Sequence, residues 1–242
     1  MLNVLTYGDP SLPKLLIAHG LFGSGRNWGV IAKRLSDQYF VVCPDMRNHG
    51  DSARFDTQSY HDMAEDLAEL LDEPAFVVGH SMGGKAAMVL ALKYPNLIKR
   101  LIVADIAPVG YHHTQVHHIE AMRAVDLDAV QRRSDAGVDF DPEVRDFLLQ
   151  SLDVKGKKWK INLDVLEVEM PKIIGFPEVS GVYLGETLFL SGADSDYVQI
   201  PHRPVIKGLF PNAHFAKLRG AGHWLHAQKP REFEAAVRAF CV

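Results

Sequence analysis

Ser81 lies in Gly79-His80-Ser81-Met82-Gly83, with the apolar Phe76-Val77-Val78 just before it and a helical pattern just after it. A serine between a strand and a helix must turn so sharply that the residues two positions to either side nearly touch. Glycine at both of those places relieves the crowding. The turn lifts the hydroxyl above the sheet edge and leaves the Met82 N–H at a helix N-terminus, where negative charge is favoured. A glycine-rich turn with an incidental serine would need no such context. The chemistry to which this arrangement points is nucleophilic attack on a carbonyl carbon.

A serine hydroxyl is a weak nucleophile until a base stands within hydrogen-bond reach. His223, in Gly220-Ala221-Gly222-His223-Trp224 on the loop after the last strand, fits that role. His226 falls in the next turn and is second choice. The acid that orients the histidine has two readings. Asp105 ends the strand Leu101-Ile102-Val103-Ala104, and Asp194 follows the strand Thr187-Leu188-Phe189-Leu190, with Asp196 just beyond. Both stand at the carboxyl ends of strands, where sheets of this class place their chemistry. Spacing alone slightly favours Asp194, and the carboxylate left over would cap a loop. The chain order serine, acid, histidine holds for either. A developing oxyanion needs two donors, worth about 3–4 kcal/mol each. One is the N–H of Met82; the other belongs to the loop His19-Gly20-Leu21-Phe22-Gly23, with Leu21 the choice and Phe22 the alternate.

These groups need a scaffold, and the hydrophobic pattern describes one. Short apolar runs at Leu15–Ala18, Phe40–Val42, Phe76–Val78, Leu101–Ala104 and Thr187–Leu190, and a last strand at His214–Leu218, alternate with segments of helical period. The helical segments are Trp28–Leu35, Tyr60–Leu71, Met82–Tyr94 and Arg231–Phe240. Continuous apolar strands between helices predict an α/β fold, a mainly parallel sheet covered on both faces. From about Gly110 to Gly185 no strand pattern occurs, whereas Ile119–Val130 and Glu143–Leu152 read as helices. This predicts a helical cap, residues 110–185, inserted into a core of residues 1–109 and 186–242. Following directly on Asp105, the cap should lie over the carboxyl edge, with Met122, Phe147 and Phe176 able to line an acyl pocket.

The 242 residues, 47% hydrophobic and 23% charged, suffice to bury a core without disulfide or metal staples. A net charge of −4 with the two signs interspersed gives no electrostatic footprint for nucleic acid. The first ten residues lack the basic flank and apolar core of a signal peptide. No apolar run approaches the roughly 20 residues of a membrane span. Cys43 and Cys241 make no disulfide framework, so a reducing compartment is expected. The expectation is a cytoplasmic globule, a monomer or small homo-oligomer, acting on a small ester or thioester.

Other readings of the same residues are weaker. Gly23-Ser24-Gly25, with Asp45 about 20 residues on, begins a dinucleotide fingerprint, but Trp28 occupies the place of its third glycine. His112, His113, His117 and His118 could suggest a metal, with His113 and His117 on one helix face, yet no cysteine stands near them. They read instead as solvated or cleft-lining. The basic run Lys155-Gly156-Lys157-Lys158-Trp159-Lys160 reads as a solvated loop, or as a hold for the phosphates of a coenzyme A thioester. A hydrolase scaffold kept as a ligand receptor is a different class of reading, opposed by an intact serine, base and acid. The same three residues could also support cofactor-free perhydrolysis or carbon–carbon cleavage.

Five motifs together carry a resemblance: His19-Gly20-Leu21-Phe22-Gly23-Ser24, Asp45-Met46-Arg47-Asn48-His49-Gly50-Asp51-Ser52, Gly79 through Lys85, Asp105-Ile106-Ala107-Pro108 and Gly222-His223-Trp224. In these the chain resembles the YbfF-type esterases, small α/β-hydrolases related to mitochondrial abhydrolase-domain proteins. The resemblance spans nearly the whole chain and is weakest in the insertion. It implies carboxylesterase or acyl-thioester hydrolase activity without a cofactor. In that family the position matching Asp194 is typically asparagine, while the aspartate of D-I-A-P is kept. The resemblance therefore favours Asp105 as the acid, although this sequence departs by having an aspartate at 194 as well. Asp45, Arg47 and His49 then read as a hydrogen-bonded structural loop beneath the site.

Overall fold

In the computed structural model, which describes residues 1–242, the chain begins with β1 (Val4–Tyr7), β2 (Lys14–Ala18), α1 (Gly29–Leu35) and β3 (Phe40–Pro44). Then come α2 (Tyr60–Ala68), β4 (Ala75–His80), α3 (Met82–Lys93) and β5 (Ile98–Ala104). Next are α4 (Val116–Ala124), α5 (Arg145–Leu149), β6 (Leu152–Asp153), β7 (Lys158–Trp159), α6 (Leu163–Val168) and α7 (Met170–Ile174). The chain closes with β8 (Thr187–Gly192), α8 (Arg203–Leu209), β9 (Ala213–Leu218), α9 (Leu225–Gln228) and α10 (Pro230–Phe240).

The main sheet has the order β1-β3-β2-β4-β5-β8-β9, parallel except for the antiparallel edge strand β1. Alternation of side chains explains why its strands read as unbroken apolar runs. Leu15 and Ile17 face a cluster with α1 and α10 that includes Trp28, Leu35, Phe233 and Val237. Leu16 and Ala18 face the other side, packed with α2 and α3. From Met82 to Leu92 every residue of α3 is buried, because α2 and the sheet enclose the helix. Its alanines and glycines let it approach β4 and β5 closely.

The apolar runs fall within strands a little longer than the sequence predicts. Strand β1 and helix α8 carry no clear apolar pattern, since Val4–Tyr7 is only half-buried and α8 buries Ile206 alone. Helix α2 ends at Ala68, three residues early, as tighter turns from Leu70 to Leu67 and Leu71 to Ala68 take over. Helix α4 stops at Ala124 and not Val130, where Asp126 accepts the Asp128 N–H at 3.1 Å in a local turn. The segment between β5 and β8 is not strandless either. Strands β6 and β7 pair antiparallel over two residues each, too short for any periodicity to show. Trp159 of β7 anchors the pair, its indole N–H donating to the Met122 carbonyl at 2.8 Å. No helix is long and apolar enough to cross a membrane.

Candidate active site

Ser81 sits between β4 and α3 at φ 52°, ψ −120°, a backbone conformation costing about 1–3 kcal/mol that surrounding structure must hold in place. A Cβ on Gly79 would stand 2.3 Å from the Gly83 carbonyl oxygen, and one on Gly83 would stand 2.5 Å from the oxygens of Ala18 and His19. Those contacts are why this turn tolerates only glycine at both places. The Ser81 N–H donates to the Ala104 carbonyl at 3.0 Å, tying the turn to the end of β5. No side chain caps α3, which leaves the Ser81 hydroxyl free to point elsewhere. It lies 3.0 Å from His223 Nε2, and His223 Nδ1–H donates to Asp105 Oδ2 at 2.8 Å. The Asp105 carboxylate is fully buried. Its Oδ1 accepts the Gly192 N–H at 3.0 Å, and Oδ2 also accepts the Ser195 hydroxyl at 2.5 Å.

The structure thus brings Asp105, and not Asp194, to the imidazole. Strand β5 lies directly beside β4, with Ala104 opposite His80, so the residue after its end falls next to Ser81. Strand β8 is one strand further out. Asp194 and Asp196 are exposed, and Asp194 is held by its N–H on the Ala221 carbonyl at 3.0 Å. The slight preference of spacing for Asp194 fails because linear distance carries no information about strand order. His226, the second choice of base, makes no hydrogen bond to Ser81. It stacks on Trp28 with ring centroids 4.2 Å apart, and burial pushes its pKa down to about 3. His80 donates from Nε2 to the His223 carbonyl at 2.8 Å and is likewise kept neutral, chiefly by burial.

Of the three backbone donors weighed for the oxyanion, the Phe22 N–H is committed to His49 Nε2 at 3.2 Å. The Leu21 N–H has no partner within the chain, and that of Met82 is one of the unpaired donors of the first turn of α3. Beneath this loop, His19 donates from Nδ1 to the Gly20 carbonyl at 2.8 Å and accepts the Met46 N–H at Nε2 at 2.9 Å. His49 donates to the Arg47 carbonyl, and burial holds its pKa near 3. Arg47 grips Asp66 with two bonds of 2.6 and 2.9 Å. Asp45 accepts the N–H groups of Gly25 and Asp51, each at 2.8 Å, and so organises the loop where a dinucleotide reading would need it for a ribose.

Ser81, His223, Leu21 and Met82 all border one cavity of about 330 Å³. Phe147, Leu148, Ile106 and Ile174 give it apolar walls. Of the three side chains expected to line an acyl pocket, only Phe147 does so. Met122 is buried in α4, and Phe176 packs near Tyr60. His113, His117 and His118 border the cavity while His112 is exposed, and nowhere do three metal-ligating side chains converge. In the basic run, Lys157 pairs with Asp128 at 2.6 Å and Lys160 with Asp51 at 2.7 Å.

A profile of the alpha/beta hydrolase family matches residues 15–236. The chain belongs to the alpha/beta hydrolase family. Within it the chain is of the YbfF type, as its motifs suggest. It is 37% identical to the Esterase YbfF of Escherichia coli (strain K12), over 93% of this chain and 92% of that protein. It is 41% identical to the sn-1-specific diacylglycerol lipase ABHD11 of Mus musculus, over 96% of this chain and 82% of that one. A solved marine microorganism esterase superposes with a TM-score of 0.91 at 38% identity, covering 99% of this chain and 98% of that one.

Several site residues of this alpha/beta hydrolase escaped the sequence reading. Lys85 is buried in α3 and donates to the carbonyls of Ile174, the last residue of α7, at 2.9 Å and of Gly175 at 2.5 Å. Burial lowers its pKa to about 7. A lysine in the midst of the apolar stretch of α3, whose other lysine is its last residue Lys93, was the available signal. Ser195, Tyr197 and Tyr111 carried none, since nothing along the chain marks a loop serine or tyrosine that converges on a histidine from elsewhere.

Proposed function

We propose that this alpha/beta hydrolase cleaves carboxylic esters, or thioesters, of small acyl groups through an acyl-enzyme on Ser81. The carrying observation is the unbroken line Asp105–His223–Ser81 opening into an apolar cavity. Ser81 Oγ attacks the carbonyl carbon while His223 Nε2 takes its proton, and the N–H groups of Leu21 and Met82 hold the oxyanion. Asp105 keeps the imidazole in the tautomer whose Nε2 is free to accept, and stabilises the imidazolium that forms. His223 then protonates the leaving alcohol or thiol, and water repeats the cycle on the acyl-enzyme. Residues 110–185 act as a cap that shapes the acyl pocket, and a cavity of about 330 Å³ is at the small end for ligand sites. The names of the two relatives, a lipase and an esterase, support the ester as the bond broken. Ser81→Ala should fold normally yet lose at least about three orders of magnitude in kcat on a short p-nitrophenyl ester. A fluorophosphonate should label Ser81 alone. Substantial hydrolysis by well-folded Ser81→Ala would end the serine mechanism.

A further inference from the structure

One aromatic residue outside the serine, base and acid stands against the reacting groups with no part in the mechanism so far. The Tyr197 ring lies flat on the imidazole of His223, with centroids 4.1 Å apart and planes 23° from parallel. It is fixed from three directions. Its N–H donates to the Ser195 hydroxyl oxygen at 3.3 Å, and that hydroxyl donates to the same Asp105 oxygen that accepts from His223. Its carbonyl accepts the Tyr111 hydroxyl at 2.7 Å. Its own hydroxyl is hydrogen-bonded to His113 Nε2 at 3.1 Å. Tyr111 and His113 belong to the stretch leading out of β5 toward α4, so the beginning of the insertion decides where this ring sits.

We propose that Tyr197 is a positioning residue for His223: it holds the imidazole in the Ser81–Asp105 line, and its ring face favours the imidazolium formed as Ser81 attacks. The inference rests on the serine mechanism proposed above. An aromatic face attracts a cation through its quadrupole and does so more strongly away from bulk water. The neutral imidazole of the resting site gains nothing comparable, so the effect falls mainly on the transition state. The other titratable groups facing His223 are Asp105 at the end of β5, His80 at the end of β4, His226 in α9 and His113 at the cavity rim. Burial keeps His80 and His226 neutral through the working range. His113 is lowered, first by burial, and loses its hydroxyl partner in Tyr197→Phe and Tyr197→Leu alike, so a difference between those two variants belongs to the ring.

The test compares Tyr197→Phe, Tyr197→Leu, Ser81→Ala and the parent on p-nitrophenyl butyrate, with kcat and KM measured from about pH 5 to about pH 9. Tyr197→Phe keeps the ring and should hold kcat within about threefold, with the acid limb of kcat/KM in place. Tyr197→Leu should lose about tenfold in kcat with KM little changed, and its acid limb should move to lower pH by up to about one unit, because the protonated imidazole has lost support. Should Tyr197→Leu prove unstable, Tyr197→Gln serves in its place with the same expectations. An unmoved acid limb and parental kcat in the ringless variant overturn the inference. So does a limb moved to higher pH, which would mean that the ring merely kept water from the imidazole. Ser81→Ala separates the two readings: activity there defeats the serine mechanism, whereas a dead Ser81→Ala beside an intact Tyr197→Leu defeats only this inference.

Discussion

Replacing Asp105 by asparagine changes one oxygen to an NH2 group at nearly constant shape, and the site's hydrogen bonds dictate the consequence. Oδ1 accepts from the Gly192 N–H, and Oδ2 from His223 Nδ1–H and the Ser195 hydroxyl. With the amide NH2 in the Oδ1 position, two buried N–H donors face each other, at a cost of about 1–3 kcal/mol. With it in the Oδ2 position the Gly192 bond survives, and the Ser195 hydroxyl can rotate to accept. The protein therefore selects the second orientation, which requires His223 Nδ1 to accept and so places the ring proton on Nε2. That nitrogen can no longer take the proton of Ser81. Loss of the correct tautomer has a ceiling of about 10⁴-fold in kcat, and partial population of the other orientation softens it. We expect Asp105→Asn to cost at least about a hundredfold in kcat, about 2.7 kcal/mol of transition-state stabilisation, with KM little changed. Asp194→Asn, an exposed side chain held through its backbone, should cost less than about tenfold. Steady-state kcat for each single variant and the double variant on one ester is the assay. The reverse ranking would refute the tautomer argument and move the acid to Asp194; equal, modest losses would mean that either carboxylate can serve.

Gly83→Ala should abolish soluble folded protein or destabilise it by more than about 4 kcal/mol, because its Cβ meets backbone oxygens at 2.5 Å; an ordinary melting curve would contradict the elbow packing. Lys85 should make stability rise with pH from about 7 to about 10. Its folded pKa is about 7 against about 10.4 for an unfolded lysine, so the unfolded chain binds the extra proton across that window and none extra below it. Urea unfolding of the parent and Lys85→Met at several pH values would show it, and parallel curves would count against it. Phe147→Ala should shift the kcat/KM optimum to longer acyl chains by opening the cavity wall, and an unchanged chain-length profile would mean that Phe147 does not set acyl length.

What the sequence determined by itself is the local part of this protein. The apolar runs mark the strands of the parallel sheet, and the two glycines around Ser81 announce the turn, since both signals arise from contacts between near neighbours in the chain. Gly222-His223-Trp224 is legible for the same reason: it follows a strand, and a strand's carboxyl end is a known place for chemistry. The choice between Asp105 and Asp194 belonged to the tertiary structure, because strand order, not spacing, sets β5 beside β4 and puts Asp105 under the imidazole. Only there, too, does Phe22 turn its N–H onto His49, and only there do Lys85 and Tyr197 acquire partners from segments 89 and 84 residues away. Such convergence leaves no periodicity along the chain. It is decided by which faces must be buried together, and that is a property of the packed molecule.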